Sequence, residues 1–156
     1  MNAVLNAGIV VGAFLTMELV AWFTHKYVMH RFLWSLHQDH HVADDGFFEK
    51  NDGFFLLFAV PSFLLCYYGS LGGFDYRFWI GIGILLYGMV YFLVHDVFIH
   101  QRFKIFRKTD NTYLRALRKA HKVHHKHLVA ENGECFGMLL FPLKYLKEAA
   151  KNSKSD

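Results

Sequence analysis

The feature that most constrains this chain is a run of 21 residues, Ala3 to Phe23, whose only polar members are Asn6, Thr16 and Glu18. At about 1.5 Å of rise per residue, such a run wound as a helix is roughly 30 Å long, the thickness of the hydrocarbon core of a bilayer. A second apolar run extends from Phe54 to Phe74, interrupted by Pro61, and a third from Phe78 to about Val94. Pro61 is compatible with a membrane helix, where it kinks the chain and leaves one carbonyl for a neighbour to satisfy. Gly81, Gly83 and Gly88 in the third run predict close approach of another backbone. Buried helices of soluble folds seldom carry apolar runs this long. The expected fold is therefore an all-α integral membrane protein with three to four transmembrane helices, built as a single membrane-embedded domain over residues 1–156. No Lys or Arg precedes the first run and no small-residue cleavage site follows it, which argues against a secretory leader.

Composition narrows the classes further. Hydrophobic residues make up 54% and charged residues 19%, which excludes a disordered chain. With only two cysteines, Cys66 and Cys135, there is no disulfide framework and no Cys-rich zinc or iron–sulfur site. Of the 17 Lys and Arg, none precedes the first run, and Lys26, Arg31 and Lys50 lie between the first two. Only Arg77 lies between the second and third, and the other thirteen follow the third. The positive-inside rule then predicts an outside N-terminus, an outside turn at Gly69–Gly73, and both polar regions in the cytoplasm. Phe136 to Leu146 is apolar but too short to span, and is expected to lie at the membrane interface.

Ten of the eleven histidines form two copies of one ordered pattern. His25 and His30 make H-x4-H, followed by His37, His40 and His41 as H-x2-H-H. His95 and His100 repeat the first motif, and His121, His124 and His125 the second, with His127 standing apart. All four motifs fall on the side assigned to the cytoplasm from Lys and Arg alone. On a helix, positions i, i+3 and i+4 share a face, so each H-x2-H-H presents its imidazoles in one direction. Residues i and i+5 stand roughly 140° apart on an ideal α-helix, so an H-x4-H pair meets one centre only where the helix ends or unwinds. Imidazole suits zinc, copper, iron and nickel, and ten histidines exceed what one ion uses, so two metals are the natural count. Oxygen ligands are few beside them: Asp39, Asp44, Asp45, Glu49, Asp52 and Asp96. Asp39 and Asp96, embedded in or next to the motifs, are expected to hold imidazoles in one tautomer rather than to bind metal.

Two other features have two readings each. Glu18, an ionisable group inside the first run, is either functional or a hydrogen-bonded packing residue. The basic stretch Arg102, Lys104, Arg107, Lys108, Arg115, Arg118, Lys119, Lys122 and Lys126 suits anchoring to anionic lipid, or docking of an acidic electron carrier. No motif supports nucleic-acid binding. A metal transporter or sensor is the rival from another class, although transport ligands belong within the spans, and no histidine precedes His95 there. A pH-sensing histidine surface gives no reason for the same spacing twice.

Several stretches resemble the bacterial β-carotene hydroxylases of the wider superfamily of fatty-acid hydroxylases and sterol desaturases. They are Met17-Glu18-Leu19-Val20-Ala21-Trp22, His25-Lys26-Tyr27-Val28-Met29-His30, His37-Gln38-Asp39-His40-His41 and Phe48-Glu49-Lys50-Asn51-Asp52. Tyr91-Phe92-Leu93-Val94-His95-Asp96, His100-Gln101-Arg102 and Ala120-His121-Lys122-Val123-His124-His125 complete the likeness. The resemblance implies a non-haem di-iron monooxygenase in the bacterial inner membrane that hydroxylates C3 of β-ionone rings. Its product would be β-cryptoxanthin, then zeaxanthin, made with O2 and electrons from ferredoxin and its reductase. Carried over residue by residue, it assigns the two irons to His25, His30, His37, His40, His41, His95, His100, His121, His124 and His125. A related oxygenase acting on a lipid or sterol, or a carotenoid ketolase, would show the same histidines. No substrate-contact residue is singled out.

Overall fold

The computed structural model describes residues 2–42, 47–128, 130 and 133–152, with the side chain of Asn152 excepted. The first apolar run is helix α1, Ala3–Phe23, capped by the Asn2 side chain, which accepts from the Leu5 N–H at 2.8 Å. The helix does not stop there. It widens into a π-helical stretch, Thr24–Phe32, and after a break at Leu33 becomes the short helix α2, Trp34–His41. A single 3-10 turn, Lys50–Gly53, leads into α3, Phe54–Leu71, which continues through Pro61. Helix α4, Tyr76–Phe92, again passes into a π-helical stretch, Leu93–Ile99. Helices α5, Thr112–His124, and α6, Leu143–Asn152, complete the fold, and no strand occurs among the described residues.

Three helical stretches are long and apolar enough to cross a membrane: Ala3–Phe32, Lys50–Leu71 and Tyr76–Ile99. The third apolar run is one continuous helical stretch, so among the described residues the count is three and no fourth span is hidden in it. Their outward faces are apolar and open, as Leu15, Leu19, Phe55 and Phe63 show by exposures above 60%, a surface that only lipid covers favourably.

Helix α4 packs against both α1 and α3. Two of its glycines make this possible. A Cβ on Gly81 would come within 2.9 Å of the Cys66 N and Ser62 O atoms of α3, and one on Gly83 within 2.6 Å of the Val10 O and Ala13 Cβ atoms of α1. The Ser62 hydroxyl donates to the Gly81 carbonyl at 2.8 Å, a polar tie within the apolar pair. Gly88, expected to serve the same purpose, has nothing within 4 Å of its Cβ position, because it faces neither neighbour.

Above the spans, α5 buries Ala116, Leu117 and Ala120, and α6 covers it with Tyr145 and Ala149, joined by the Lys119–Glu148 ion pair at 2.5 Å. The segment from Gly133 to Pro142 is not helical. Within Phe136–Leu146, Phe136 and Met138 are 4% and 2% exposed and pack inward, whereas Leu140 and Leu143 stand open at 69% and 68%. Non-helical backbone packed inside a protein needs polar partners, and Glu18 supplies two of them. Its carboxylate accepts from the N–H groups of Leu139 and Leu140, each at 2.8 Å, and from the Tyr87 hydroxyl at 2.7 Å. Glu18 is the packing residue of the two readings: it ties α1, α4 and the inserted segment together.

Candidate metal centre

His25 and His30 lie within the first π-helical stretch, and His95 lies within the second, which His100 caps. An i→i+5 ladder places residues five apart on one face, so the pairs that diverge on an α-helix converge here. The His100 N–H donates to the His95 carbonyl at 2.9 Å, and the rings of these two residues lie 4.5 Å apart between centroids. The His25 and His30 rings are 5.0 Å apart. Helices α2 and α5 bring the H-x2-H-H motifs against them.

Ten histidines thereby collect into two adjoining groups. His25, His30, His37, His41 and His124 place one ring nitrogen each within 4.8 Å of all the others, as do His40, His95, His100 and His121. His125 joins the second group, its Nε2 2.9 Å from that of His121. The groups meet where the rings of His41 and His125 stack at 4.4 Å. Among the described residues, His37, His95 and His124 are the largest side chains with almost no exposure.

The hydrogen bonds behind the rings define the tautomers. The Nδ1–H groups of His25, His30 and His124 donate to the carbonyls of Phe136, Leu128 and Glu134 at 2.9, 3.2 and 3.0 Å. His37 donates to the Asn51 side-chain oxygen at 2.7 Å, His40 to the Glu49 carboxylate at 2.8 Å, and His95 to Asp96 at 3.2 Å. The proton being on Nδ1, each of these six rings directs an Nε2 lone pair inward. Those nitrogens nevertheless face one another at 3.0 Å (His25 with His37, His40 with His95), 3.1 Å (His25 with His124) and 3.2 Å (His30 with His124). Lone pairs so close repel unless a cation lies between them. Imidazoles sharing one first-row metal ion at about 2.1 Å stand about 3 Å apart, so the donor set fits a metal ion in each group.

Burial keeps the rings neutral, which metal binding requires. It holds His37 and His125 at about 3, His41 at about 4 and His124 at about 2, with neighbouring imidazoles pushing the same way on each. His40, His100 and His121 are lowered for the same reason. Glu49 is raised by its own burial, against the pull of Arg102.

A bend at Cys135, which adopts a positive φ of 64°, lies between the two carbonyls that receive His124 and His25. The Phe136 ring then lies edge-on to His25, His30 and His124 at 5.0 to 5.5 Å, closing that side of the first group.

The Asp96 carboxylate accepts from His95, whereas the Asp39 carboxylate accepts from the Lys50 N–H at 2.5 Å. Its place behind the rings is taken by Glu49 and Asn51, both from the Phe-Glu-Lys-Asn-Asp stretch. His127 stands outside both groups, and Asp44 and Asp45 lie outside the described residues. Part of the basic stretch is also committed within the protein. Arg118 lies over the Phe98 ring at 3.9 Å and donates to the carbonyls of Phe98, Phe106 and Arg107, so it braces a loop rather than a partner.

Histidine groups of this kind, set where apolar helices end, accord with comparison to known proteins: the chain matches the fatty acid hydroxylase family over residues 10–143 and belongs to it. Within that family its relatives include "Beta-carotene hydroxylase" of Pantoea ananas, 41% identical over 137 residues that cover 88% of this chain and 78% of the relative. The protein of the same name from Pseudescherichia vulneris is 39% identical over 134 residues, covering 86% and 76%. "Beta-carotene 3-hydroxylase 2, chloroplastic" of Arabidopsis thaliana is 38% identical over 135 residues, covering 85% and 44%. No solved structure matches.

Proposed function

We propose that this chain is a non-haem di-iron monooxygenase that hydroxylates C3 of the β-ionone rings of β-carotene, giving β-cryptoxanthin and then zeaxanthin. The observation that carries the reading is the pairing of two inward-facing imidazole groups, in a member of the fatty acid hydroxylase family whose relatives are named β-carotene hydroxylases.

In this reading one iron is held by His25, His30, His37, His41 and His124, the other by His40, His95, His100, His121 and His125. Iron bound there supplies activation of O2 and insertion of one oxygen atom into an unactivated C–H bond, chemistry no side chain of this protein offers. The chain's own residues orient and shield. Glu49, Asn51, Asp96 and three backbone carbonyls hold the imidazoles in the binding tautomer. Phe136 keeps water from the first group. An open cleft of about 550 Å3 beside α1 has Leu19, Trp22, Phe136 and Leu140 on its apolar side and Lys26 and Glu134 on its polar one, and in this reading its apolar side admits a ring from the bilayer.

The same reading has residues 1–156 act as one domain in the bacterial inner membrane with the histidines on the cytoplasmic side. The substrate then arrives through lipid, while ferredoxin and its reductase deliver electrons from the cytoplasm. The thirteen Lys and Arg beyond the third span favour that orientation, contact with anionic lipid, and attraction of an acidic electron carrier.

Expression in a bacterium that accumulates β-carotene, with aeration and chromatography of the pigments, tests the function directly. Products with one and two added hydroxyl oxygens, absent from a His37→Ala control, are the expected result. Carbonyl products would indicate a ketolase. Unchanged pigment from inserted, iron-loaded protein would overturn the carotenoid reading and redirect the search to lipids, sterols or metal transport.

A further inference from the structure

The two histidine groups derive from repeated motifs, yet what stands behind them is different. In the first group, His25, His30 and His124 donate to main-chain carbonyls and His37 to an amide oxygen, none of which carries a formal charge. In the second, His40 and His95 donate to carboxylates, those of Glu49 and Asp96. These acids come from opposite sides of the site, and one cation gathers them. Arg102 has Nη2 at 2.9 Å from Asp52 Oδ1 and 3.7 Å from Glu49 Oε2, and Nη1 at 3.5 Å from Asp96 Oδ1. Its main-chain N–H donates to the Asp96 carbonyl at 2.9 Å, and its side chain is 15% exposed. Glu49 and Asp52 brace each other across their turn, the Glu49 N–H donating to Asp52 Oδ2 at 3.1 Å.

A carboxylate behind an imidazole raises its basicity and fixes its orientation, and loss of such a partner typically costs 10–100-fold in metal affinity. A carbonyl fixes orientation with less gain in basicity. Three carboxylates crowded at one edge would also repel one another and turn away from the rings without the guanidinium that faces them. The planar fork of Arg, with donors on two nitrogens, can address several acids at once, as a lysine ammonium cannot do in the same geometry.

We propose that Arg102 is a positioning residue for the second histidine group, and that this group is the tighter of two unequal metal sites. The proposal rests on the two-metal reading above, and it gives a role to two sequence stretches, Phe48–Asp52 and His100–Arg102, that ligand counting leaves unexplained.

The test uses the full chain, loaded anaerobically with ferrous iron and then challenged with an excess of a ferrous chelator. Release is expected in two phases of one equivalent each, their rates differing by about tenfold or more. His30→Ala should retain the slow phase and His100→Ala the fast one. Arg102→Gln is expected to accelerate the slow phase by about 10–100-fold and leave the fast phase unchanged, with Arg102→Lys intermediate and Glu49→Gln reproducing the effect. A merely structural role for Arg102 would accelerate both phases. Release of both equivalents together, a slow phase that belongs to the first group, or equal acceleration of both phases by Arg102→Gln would overturn the proposal. Two phases in a protein that leaves β-carotene unchanged would leave it standing while the carotenoid reading falls. Hydroxylated pigment with a single release phase would do the reverse.

Discussion

His40 and His124 hold the same place in the two H-x2-H-H motifs, and each sits in the group built mainly by the other half of the chain. His40 Nε2 lies 3.0 Å from that of His95, and His124 Nε2 lies 3.1 Å from that of His25. Neither half therefore completes a group from its own residues. Replacing either histidine by Ala should remove about one of two metal equivalents and cut pigment hydroxylation by more than roughly 100-fold, beyond the usual effect of losing a partner behind a ligand. Elemental analysis and pigment chromatography on the same preparations check this. Near-normal product from both variants would sink the assignment.

Glu18 accepts from two part-buried N–H groups and one buried hydroxyl, so its removal strands all three. Glu18→Ala should lower stability by roughly 3 kcal/mol, since an orphaned buried polar group costs about 1–3 kcal/mol. Tyr87→Phe leaves both N–H bonds in place and should cost about 1 kcal/mol. Unfolding in detergent measures both, and equal losses for the two variants would contradict the assigned role.

Acid should undo the site. His37 and His125 at about 3, and His41 at about 4, lie below the ordinary value of 6.5, so the unfolded chain protonates first as pH falls. Stability from these groups is fully present above about pH 6.5 and is lost progressively on acidification towards those folded values. For His37 the loss is on the order of 2 kcal/mol by about pH 5. Metal affinity has the same sign, because protonated imidazole cannot ligate. Unfolding and metal retention followed between about pH 7.5 and pH 4.5 should both decline; a flat profile contradicts the neutral-histidine site.

The glycines of α4 offer an internal comparison. Gly83→Val must push apart α1 and α4, since even a Cβ would lie 2.6 Å from α1, and overpacking of this kind typically costs about 1–3 kcal/mol. It should also lower metal retention, because these two helices run on into the stretches that carry His25 and His95. Gly88→Ala, with open space around it, should be neutral or stabilising by up to about 1 kcal/mol. Thermal unfolding of the two variants side by side checks the contrast.

Much of this was legible from residues alone, for identifiable reasons. Uninterrupted apolar sequence leaves a chain in lipid no alternative to a helix, so the spans could be read by length. The H-x4-H spacing already demanded a departure from α geometry, and the π-helical stretches at Thr24–Phe32 and Leu93–Ile99 are that departure. The exchange of His40 and His124 was not legible, because it depends on how α2 and α5 approach each other rather than on spacing. Nor were the carbonyls of Leu128, Glu134 and Phe136, since every residue owns a carbonyl and only the fold selects which ones face a ring. Asp39 looked well placed, but its carboxylate is turned to the Lys50 N–H, a contact that only the fold of the Lys50–Gly53 turn creates.

The widened turns have a mechanical consequence. Each winds an additional residue into the helix, so the chain beyond it is rotated by about 100° relative to a straight α-helix. The stripe of α1 that meets lipid and the bearing of the imidazoles above it are thus offset by a fixed angle and fall on different faces. Outward-facing positions of Ala3–Phe23 are free to vary with the thickness and composition of a bilayer, while His25 and His30 keep their aim.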